Sequence, residues 1–327
     1  MIKSANEKSI QEAAEIIKGG GLVGMPTETV YGLAADATNG EAVAKIYAAK
    51  GRPSFNPLIV HVTSLEQAAE FAEITNKAET LAHHFWPGPV TFVLKQKPNN
   101  ALSELATAGL GTVAVRVPAH MQARQFLQAA TTPIVAPSAN KSGALSPTTP
   151  AHVEEGLGEE VDMILAAGSC QIGLESTVID LSNDTPQILR PGAITAEDIS
   201  HVLEMDIGYA EPDDDSPKSP GMLLKHYAPN TPVRLNAIDL EAAEALLAFG
   251  STKFMGIKGG GAAADLPEAQ WRNLSDNQDL HEAASNLFKM LKELDKGGFK
   301  TIAVMQIPET GLGVAINDRL RRAAESR

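Results

Sequence analysis

Val43-Ala44-Lys45-Ile46-Tyr47-Ala48-Ala49-Lys50-Gly51-Arg52-Pro53-Ser54-Phe55-Asn56-Pro57-Leu58-Ile59-Val60-His61-Val62 changes its hydrophobic period midway. Val43, Ile46 and Tyr47 fall at helical spacing, so a helix is expected to run into Lys50. Pro53 and Pro57 stiffen a turn, and the β-branched run that follows reads as a strand. A helix handing over to a buried strand is the unit from which α/β sheets are assembled. Outward from this stretch the alternation continues. Ile10, Ala13, Ala14 and Ile17 predict a helix stopped by Gly19 and Gly20, and 22–25 predicts a short buried strand. Further strands are expected at 90–94, 112–117, 134–135 and 176–180, with a helix across 119–129. The class is α/β or α+β with a mostly buried sheet.

Composition shifts near residue 205. Glu211-Pro212-Asp213-Asp214-Asp215-Ser216-Pro217-Lys218-Ser219-Pro220-Gly221 is too rich in proline and acid to form a core element and reads as a linker. Beyond it come an expected helix at 240–248, a strand at 253–257, a helix at 280–294, a strand at 301–305 and a last helix. Three segments follow: a domain over 1–205, a linker or lid over 206–232, and a small α/β, Rossmann-like domain over 233–327.

The chain has 327 residues, a formal net charge of -13 and a sequence pI near 5.1. That balance opposes broad electrostatic adhesion to nucleic acid or anionic lipid, so any basic site must be local. Cys170 is the single cysteine, which excludes an internal disulfide and a thiolate cluster for zinc. No signal-like apolar start and no apolar stretch of membrane length is present, so a soluble cytoplasmic protein is expected. Gly19-Gly20-Gly21-Leu22-Val23-Gly24 matches G-x-G-x-x-G but precedes a strand, where the dinucleotide fingerprint must follow one. P-loop, H-E-x-x-H and G-x-S-x-G patterns are absent. Asp213-Asp214-Asp215 lacks the glycine and distal glutamate of a calcium loop.

Lys50 and Arg52 flank a stiffened turn, and a guanidinium fork matches phosphate or carboxylate oxygens. The plain alternative is a basic pair complementing a helix C-terminus. Asn56 adds donors and acceptors, and His61 ends an apolar alternation where it can face core or cleft. Arg116 interrupts the run 112–117, and Arg190 repeats that pattern at 188–192. A charge in a buried strand must be paired or face a ligand. Ser138-Ala139-Asn140 follows an apolar run at a strand end, and Ser146 and Ser176-Thr177 offer further hydroxyls. Together these residues describe an anion cradle in an acidic protein.

Pro26-Thr27-Glu28-Thr29-Val30-Tyr31-Gly32-Leu33, Lys50-Gly51-Arg52, Asn56 to His61, Trp86-Pro87-Gly88-Pro89-Val90-Thr91, Val115-Arg116-Val117-Pro118 and Pro137-Ser138-Ala139-Asn140 closely resemble the YrdC-like family. Leu174 to Asp180 and Leu189-Arg190-Pro191-Gly192 extend the resemblance. Ser219-Pro220-Gly221-Met222 and His226-Tyr227-Ala228-Pro229 resemble the segment opening the extra domain of the long form. The resemblance implies a twisted mixed sheet with a concave basic cavity. It implies threonylcarbamoyl-AMP synthase activity: L-threonine, bicarbonate and ATP, with Mg²⁺, give threonylcarbamoyl-adenylate and pyrophosphate. A tRNA-modifying transferase complex would consume the adenylate. Lys50 and Arg52 are then the expected catalytic pair. ATP contacts are expected from Arg52, Asn56, Thr112, Ser138, Ser146, Arg190 and Tyr227. Threonine contacts are expected from Thr29, His61, Arg116, Ser176 and the main chain at Ala136, with Asn140 supporting the floor. No protein ligand set for a metal is identified. Tyr227 further suggests that the linker closes over the cleft as a lid. Competing readings are an RNA-binding module for tRNA, rRNA or double-stranded RNA, with RNA bound weakly at best, and carbamoyl transfer from carbamoyl phosphate.

Overall fold

The helix-to-strand passage forms as the sequence dictates in a computed structural model of the chain, which describes residues 1–53, 55–211, 227–241, 243–252, 256–258 and 265–325. The chain divides into two units: of the described residues, 1–142, 146–171 and 175–211 form the first, and 143–145, 172–174 and 227–325 the second.

The first unit runs β1 (Ile2–Ser4), α1 (Glu7–Lys18), β2 (Val23–Met25), β3 (Gly32–Asp36), α2 (Gly40–Lys50), β4 (Ile59–His61), α3 (Leu65–Ala68), α4 (Asn76–Phe85) and β5 (Val90–Lys95). It continues α5 (Glu104–Thr107), β6 (Thr112–Arg116), α6 (Met121–Ala130), β7 (Ile134–Val135), α7 (Pro150–Leu157), β8 (Met163–Ala166), β9 (Thr177–Asp180), β10 (Gln187–Arg190), α8 (Ala196–Leu203) and β11 (Gly208–Tyr209). Helix α2 starts on Asn39, whose side chain accepts from the amides of Glu41 and Ala42. It stops at Gly51, at φ 59°, in the left-handed conformation that glycine adopts at helix ends. That stop leaves Lys50 as the last helical residue and places Arg52 on the turn.

Among the described residues an eleven-stranded sheet runs β1-β8-β2-β3-β7-β4-β6-β5-β9-β10-β11 and mixes parallel with antiparallel pairs. Strands β4 and β6 are parallel, with His61 beside Arg116; β5 runs antiparallel to β6 and parallel to β9. Side chains alternate between the faces. Val60, Phe92, Leu94, Val113, Val115 and Ile179 point into one core with Val43 and Ile46 of α2, Leu81 of α4 and Ile199 of α8. The opposite face is covered near β8, β2, β3 and β7 by Ile10, Ile17, Phe126 and Leu127 of α1 and α6. Further along, that same face carries the small patch Ile59, Val93, Ala114, Val178 and Leu189. Their alternation partners in register, His61 and Arg116, are polar. The sequence period that builds the core therefore also delivers the polar side chains to one face.

The second unit contains β12 (Val233–Arg234), β13 (Asp239–Leu240), β14 (Glu244–Ala248), β15 (Gly256–Ile257), β16 (Trp271–Asn273), α9 (Leu280–Asp295), β17 (Thr301–Val304) and α10 (Leu312–Glu325). Its sheet runs β12-β17-β14-β16 with every pair parallel, beside a two-stranded β13-β15 pair. Here one expectation is corrected. Residues 240–248 were expected as a helix, yet Glu244–Ala248 is the buried strand β14 and Asp239–Leu240 is β13. Leu246, Leu247 and Ala248 are fully buried, and burial on both faces of a parallel strand overrides the helical preference of an Ala/Leu/Glu run. Of the strand expected at 253–257, Gly256–Ile257 forms β15, and 253–255 lie outside the described residues. Among the described residues no helix is long and apolar enough to cross a membrane.

Candidate functional site

Four cationic side chains of the first unit, Lys50, Arg52, Arg116 and Arg190, are buried in a chain of net charge -13. Each is held by oxygens. Lys50 Nζ donates to the carbonyls of Ser138 and of Asn140, the latter at 2.5 Å. Burial drives the Lys50 ammonium well below the usual lysine range, and the neighbouring Arg52 charge pushes the same way. Arg52 donates from Nε to Asn56 O at 3.2 Å and from Nη2 to Pro57 O at 2.9 Å, which folds the proline turn around the guanidinium. Asn56 is 1% exposed, and its Oδ1 is buried without a hydrogen-bond partner among the described residues. A buried amide oxygen left open in this way is an acceptor waiting for a donor.

Arg116 ends β6, a central strand. Its Nε donates to Gly88 O at 3.2 Å, Nη1 to Thr29 Oγ1 at 2.9 Å and Nη2 to Glu28 Oε1 at 2.5 Å. Glu28 also accepts from the amide of Ala119 at 3.1 Å. Burial alone would raise its carboxyl, but the Arg116 charge and the amide hydrogen bonds outweigh that and hold it below the usual range. Beside this pair lies His61. Its Nδ1 faces Ile59 O at 3.2 Å; a carbonyl can only accept, so Nδ1 carries the proton. Burial first, and Arg116 second, lower His61 to about 3, so the ring is neutral at physiological pH. The main-chain amide of Ala136 donates to the same Ile59 carbonyl at 3.1 Å.

The loop before β3 fixes Thr29. Thr27 Oγ1 donates to Val30 O at 2.6 Å and accepts from the amides of Thr29 and Val30. With that proton committed, Thr29 is the donor in the 2.8 Å Thr27–Thr29 hydroxyl contact. A third group forms around Ser176. Arg190 donates to its carbonyl from Nε and Nη2 and to its Oγ at 3.1 Å, while Thr91 Oγ1 lies 2.8 Å from the same hydroxyl. Ser146 Oγ donates to the carboxylate of Glu175, and that carboxylate acts electrostatically on Lys50.

The structure thus brings Lys50, Arg52, Asn56, Ser138 and Asn140 into one cluster. It gathers Thr29, His61, Arg116 and Ala136 into a second, and Ser176 and Arg190 into a third. Thr112 opens β6 while Arg116 closes it, so along the strand they stand about 13 Å apart, at ~3.3 Å per residue. Tyr227 belongs to the second unit, where its ring stacks on Phe288 at 5.6 Å and Arg319 lies 5.4 Å from its centroid. Residues 212–226 of the expected lid lie outside the described residues. Sequence reasoning passed over Glu28 and Glu175. Both are acids embedded among apolar and hydroxyl residues, in blocks from which Thr29 and Ser176 were drawn, and that setting is the signal that marks them. Among the described residues no group of three or more His, Cys, Asp or Glu side chains is placed to hold a metal.

Comparison with known proteins covers both units of the chain. Residues 15–192 match the Sua5/YciO/YrdC family model, described as telomere recombination, and 194–325 match the model described as threonylcarbamoyl-AMP synthase, C-terminal domain. The threonylcarbamoyl-AMP synthase of Pyrococcus abyssi is 42% identical over 97% of this chain and 94% of its own. That of Bacillus subtilis is 39% identical over 99% and 95%. A crystal structure of P. abyssi Sua5 complexed with L-threonine superposes with a TM-score of 0.87 at 38% identity, covering 100% of this chain and 97% of that one. Matched along nearly its whole length in both units, the chain belongs to the two-domain threonylcarbamoyl-AMP synthases of the Sua5/YciO/YrdC family.

Proposed function

We propose that this protein is an L-threonylcarbamoyladenylate synthase, joining L-threonine, bicarbonate and ATP into threonylcarbamoyl-AMP with release of diphosphate. The observation that carries the reading is the set of four buried basic side chains in an acidic chain, which suits a site for small anions. The neutral amine of threonine attacks carbon dioxide and gives up a proton, or attacks bicarbonate with loss of water. The resulting N-carboxylate attacks the α-phosphorus as the bond to diphosphate breaks. Two anions must meet, so fixed positive charge and close positioning provide the catalysis; no enzyme nucleophile is required. Lys50 and Arg52 hold the phosphates and the charge that develops as diphosphate leaves. Arg52, Asn56, Thr112, Ser138, Ser146 and Arg190 form the nucleotide side. Thr29, His61, Arg116, Ser176 and the Ala136 main chain form the threonine side, with Asn140 beneath them.

Arg116 supports that division. A guanidinium has five N–H donors, and three are committed to Gly88, Thr29 and Glu28. Subtracting three from five leaves two, one on each terminal nitrogen, for a carboxylate. Thr29 Oγ1, already donating to Thr27, is left as an acceptor suited to an amine N–H. Mg²⁺ would enter with ATP and would supply screening of the phosphate charge, with Lys50 and Arg52 as the nearby protein cations. The adenylate passes to a tRNA-modifying transferase complex in the cytoplasm, and the chain's own acidity keeps any RNA contact weak. The test is diphosphate release measured with each reactant omitted in turn. All three should be required, and Lys50→Gln and Arg52→Gln should each lower the rate more than about a hundredfold with the thermal transition kept. Diphosphate release without threonine, or salt-dependent retention of RNA in its place, would reject the proposal.

A further inference from the structure

Glu28 takes no part in the proposed chemistry, yet its carboxylate is in direct contact with the threonine cluster. Its carboxylate is 4% exposed and its partner Arg116 is 3% exposed. It reaches Arg116 Nη2 at 2.5 Å and Ala119 N at 3.1 Å, tying the loop before β3 to the chain leading into α6. The loop itself is rigid, because Thr27 ties down the amides of Thr29 and Val30 and the carbonyl of Val30. Arg116 therefore cannot swing. Its charge is also compensated by a carboxylate in direct contact, whereas the Lys50 amine is held by two neutral carbonyl oxygens.

We propose that Glu28 is a positioning residue that keeps Arg116 a reader of the amino-acid carboxylate and denies it to phosphate. This rests on the reading of Arg116 as the carboxylate site given above. A cleft that must take a polyphosphate and an amino acid at once faces a sorting problem, because an uncompensated arginine attracts the more highly charged anion at long range. Pairing with Glu28 brings the local charge near zero and removes that long-range preference. The two remaining N–H groups keep their direction, and short-range bidentate hydrogen bonding still selects a planar carboxylate. Glu28 thus acts through Arg116 on which anion goes where.

The experiment compares the full-length wild type with Glu28→Gln, Glu28→Asp and Arg116→Lys, measuring KM for threonine and for ATP, and inhibition by inorganic diphosphate against threonine. The ratio of threonine to threoninamide binding is measured alongside. For Glu28→Gln the KM for threonine should rise about tenfold to a hundredfold, the scale of one lost charge-assisted hydrogen bond. The KM for ATP should stay within about twofold. The preference for threonine over threoninamide should shrink, and diphosphate should begin to compete with threonine. Glu28→Asp keeps the charge but shortens the reach, so threonine binding should weaken without diphosphate becoming competitive. This second variant decides the matter should Glu28→Gln fold poorly. Equal rises in both KM values, or a lowered thermal transition with the threonine to threoninamide ratio unchanged, make Glu28 merely structural and overturn the proposal. An unchanged threonine KM in Arg116→Lys would instead overturn the underlying reading of Arg116.

Discussion

At the scale of single residues, His61 shows how the site sets protonation by burial. In an unfolded chain its imidazole titrates near 6.5, and in the folded protein at about 3. Above pH 6.5 both states are neutral there and the residue adds no pH dependence. Between 6.5 and 3 the unfolded chain binds a proton that the folded one refuses. Stability is therefore lost as pH falls, by up to about 1.4 kcal/mol per unit. Urea unfolding at pH 7.5 and pH 5 should show the wild type losing about 2 kcal/mol more than His61→Gln. Parallel losses in the two proteins would mean that His61 is not buried in its neutral form. Part of this site is legible in the sequence, because Arg116 and Arg190 interrupt apolar runs where charge is costly, whereas His61 can face core or cleft and enters only through the family resemblance. The carboxylates were less legible. Glu28 lies 88 positions from Arg116 and Glu175 lies 29 from Ser146, and spacing along the chain holds no trace of either partner.

At the scale of elements, the passage from α2 through the proline turn to β4 is written locally, in helical spacing, a glycine stop and β-branched residues, so it is readable. Strand β14 is the opposite case. Its Ala/Leu/Glu composition favours a helix, and only its place between β17 and β16 makes it a strand. The turn after β10 carries another non-local requirement. A Cβ on Gly192 would lie 2.3 Å from Thr177 N, 2.7 Å from Ser176 C and 2.8 Å from Glu175 O. These are backbone atoms at the start of β9, so nothing nearby can yield cheaply. Gly192→Ala should displace the segment carrying Ser176, the residue that Arg190 holds. A cost of about 1–3 kcal/mol in stability is expected, with a fall in kcat/KM of about tenfold or more because the reacting groups shift. A variant with wild-type thermal transition and wild-type kinetics would show that the turn moves away freely.

At the scale of the whole molecule, charge and connectivity settle different matters. The net charge of -13 opposes broad adhesion to nucleic acid, which suits an enzyme for small anions better than a nucleic-acid clamp. Connectivity is less orderly than the composition shift near residue 205 suggests, since the second unit includes Gly143–Leu145 and Ile172–Leu174, both from before that shift. Composition holds no sign of these triplets, because three residues are too few to shift it. In the structure Ala228 N donates to Gly143 O at 2.8 Å, and Gly173 lies against the backbone of α9. At Gly173 φ is +76°, and an added Cβ would meet Ala284 O and Ser285 Cα at 2.6 Å. Both conditions demand glycine: the left-handed backbone strains any L side chain by about 1 kcal/mol, and the helix backbone leaves no room. Gly173→Ala should therefore destabilise the second unit by about 2 kcal/mol or more. Gly173→Asn, which tolerates the backbone angle but still carries a Cβ, should not restore it. Calorimetry on the full-length protein reads the difference. If Asn does restore the transition, strain alone explains the glycine and the approach to α9 is not tight. If neither variant shifts it, Ile172–Leu174 contributes nothing to the stability of the second unit.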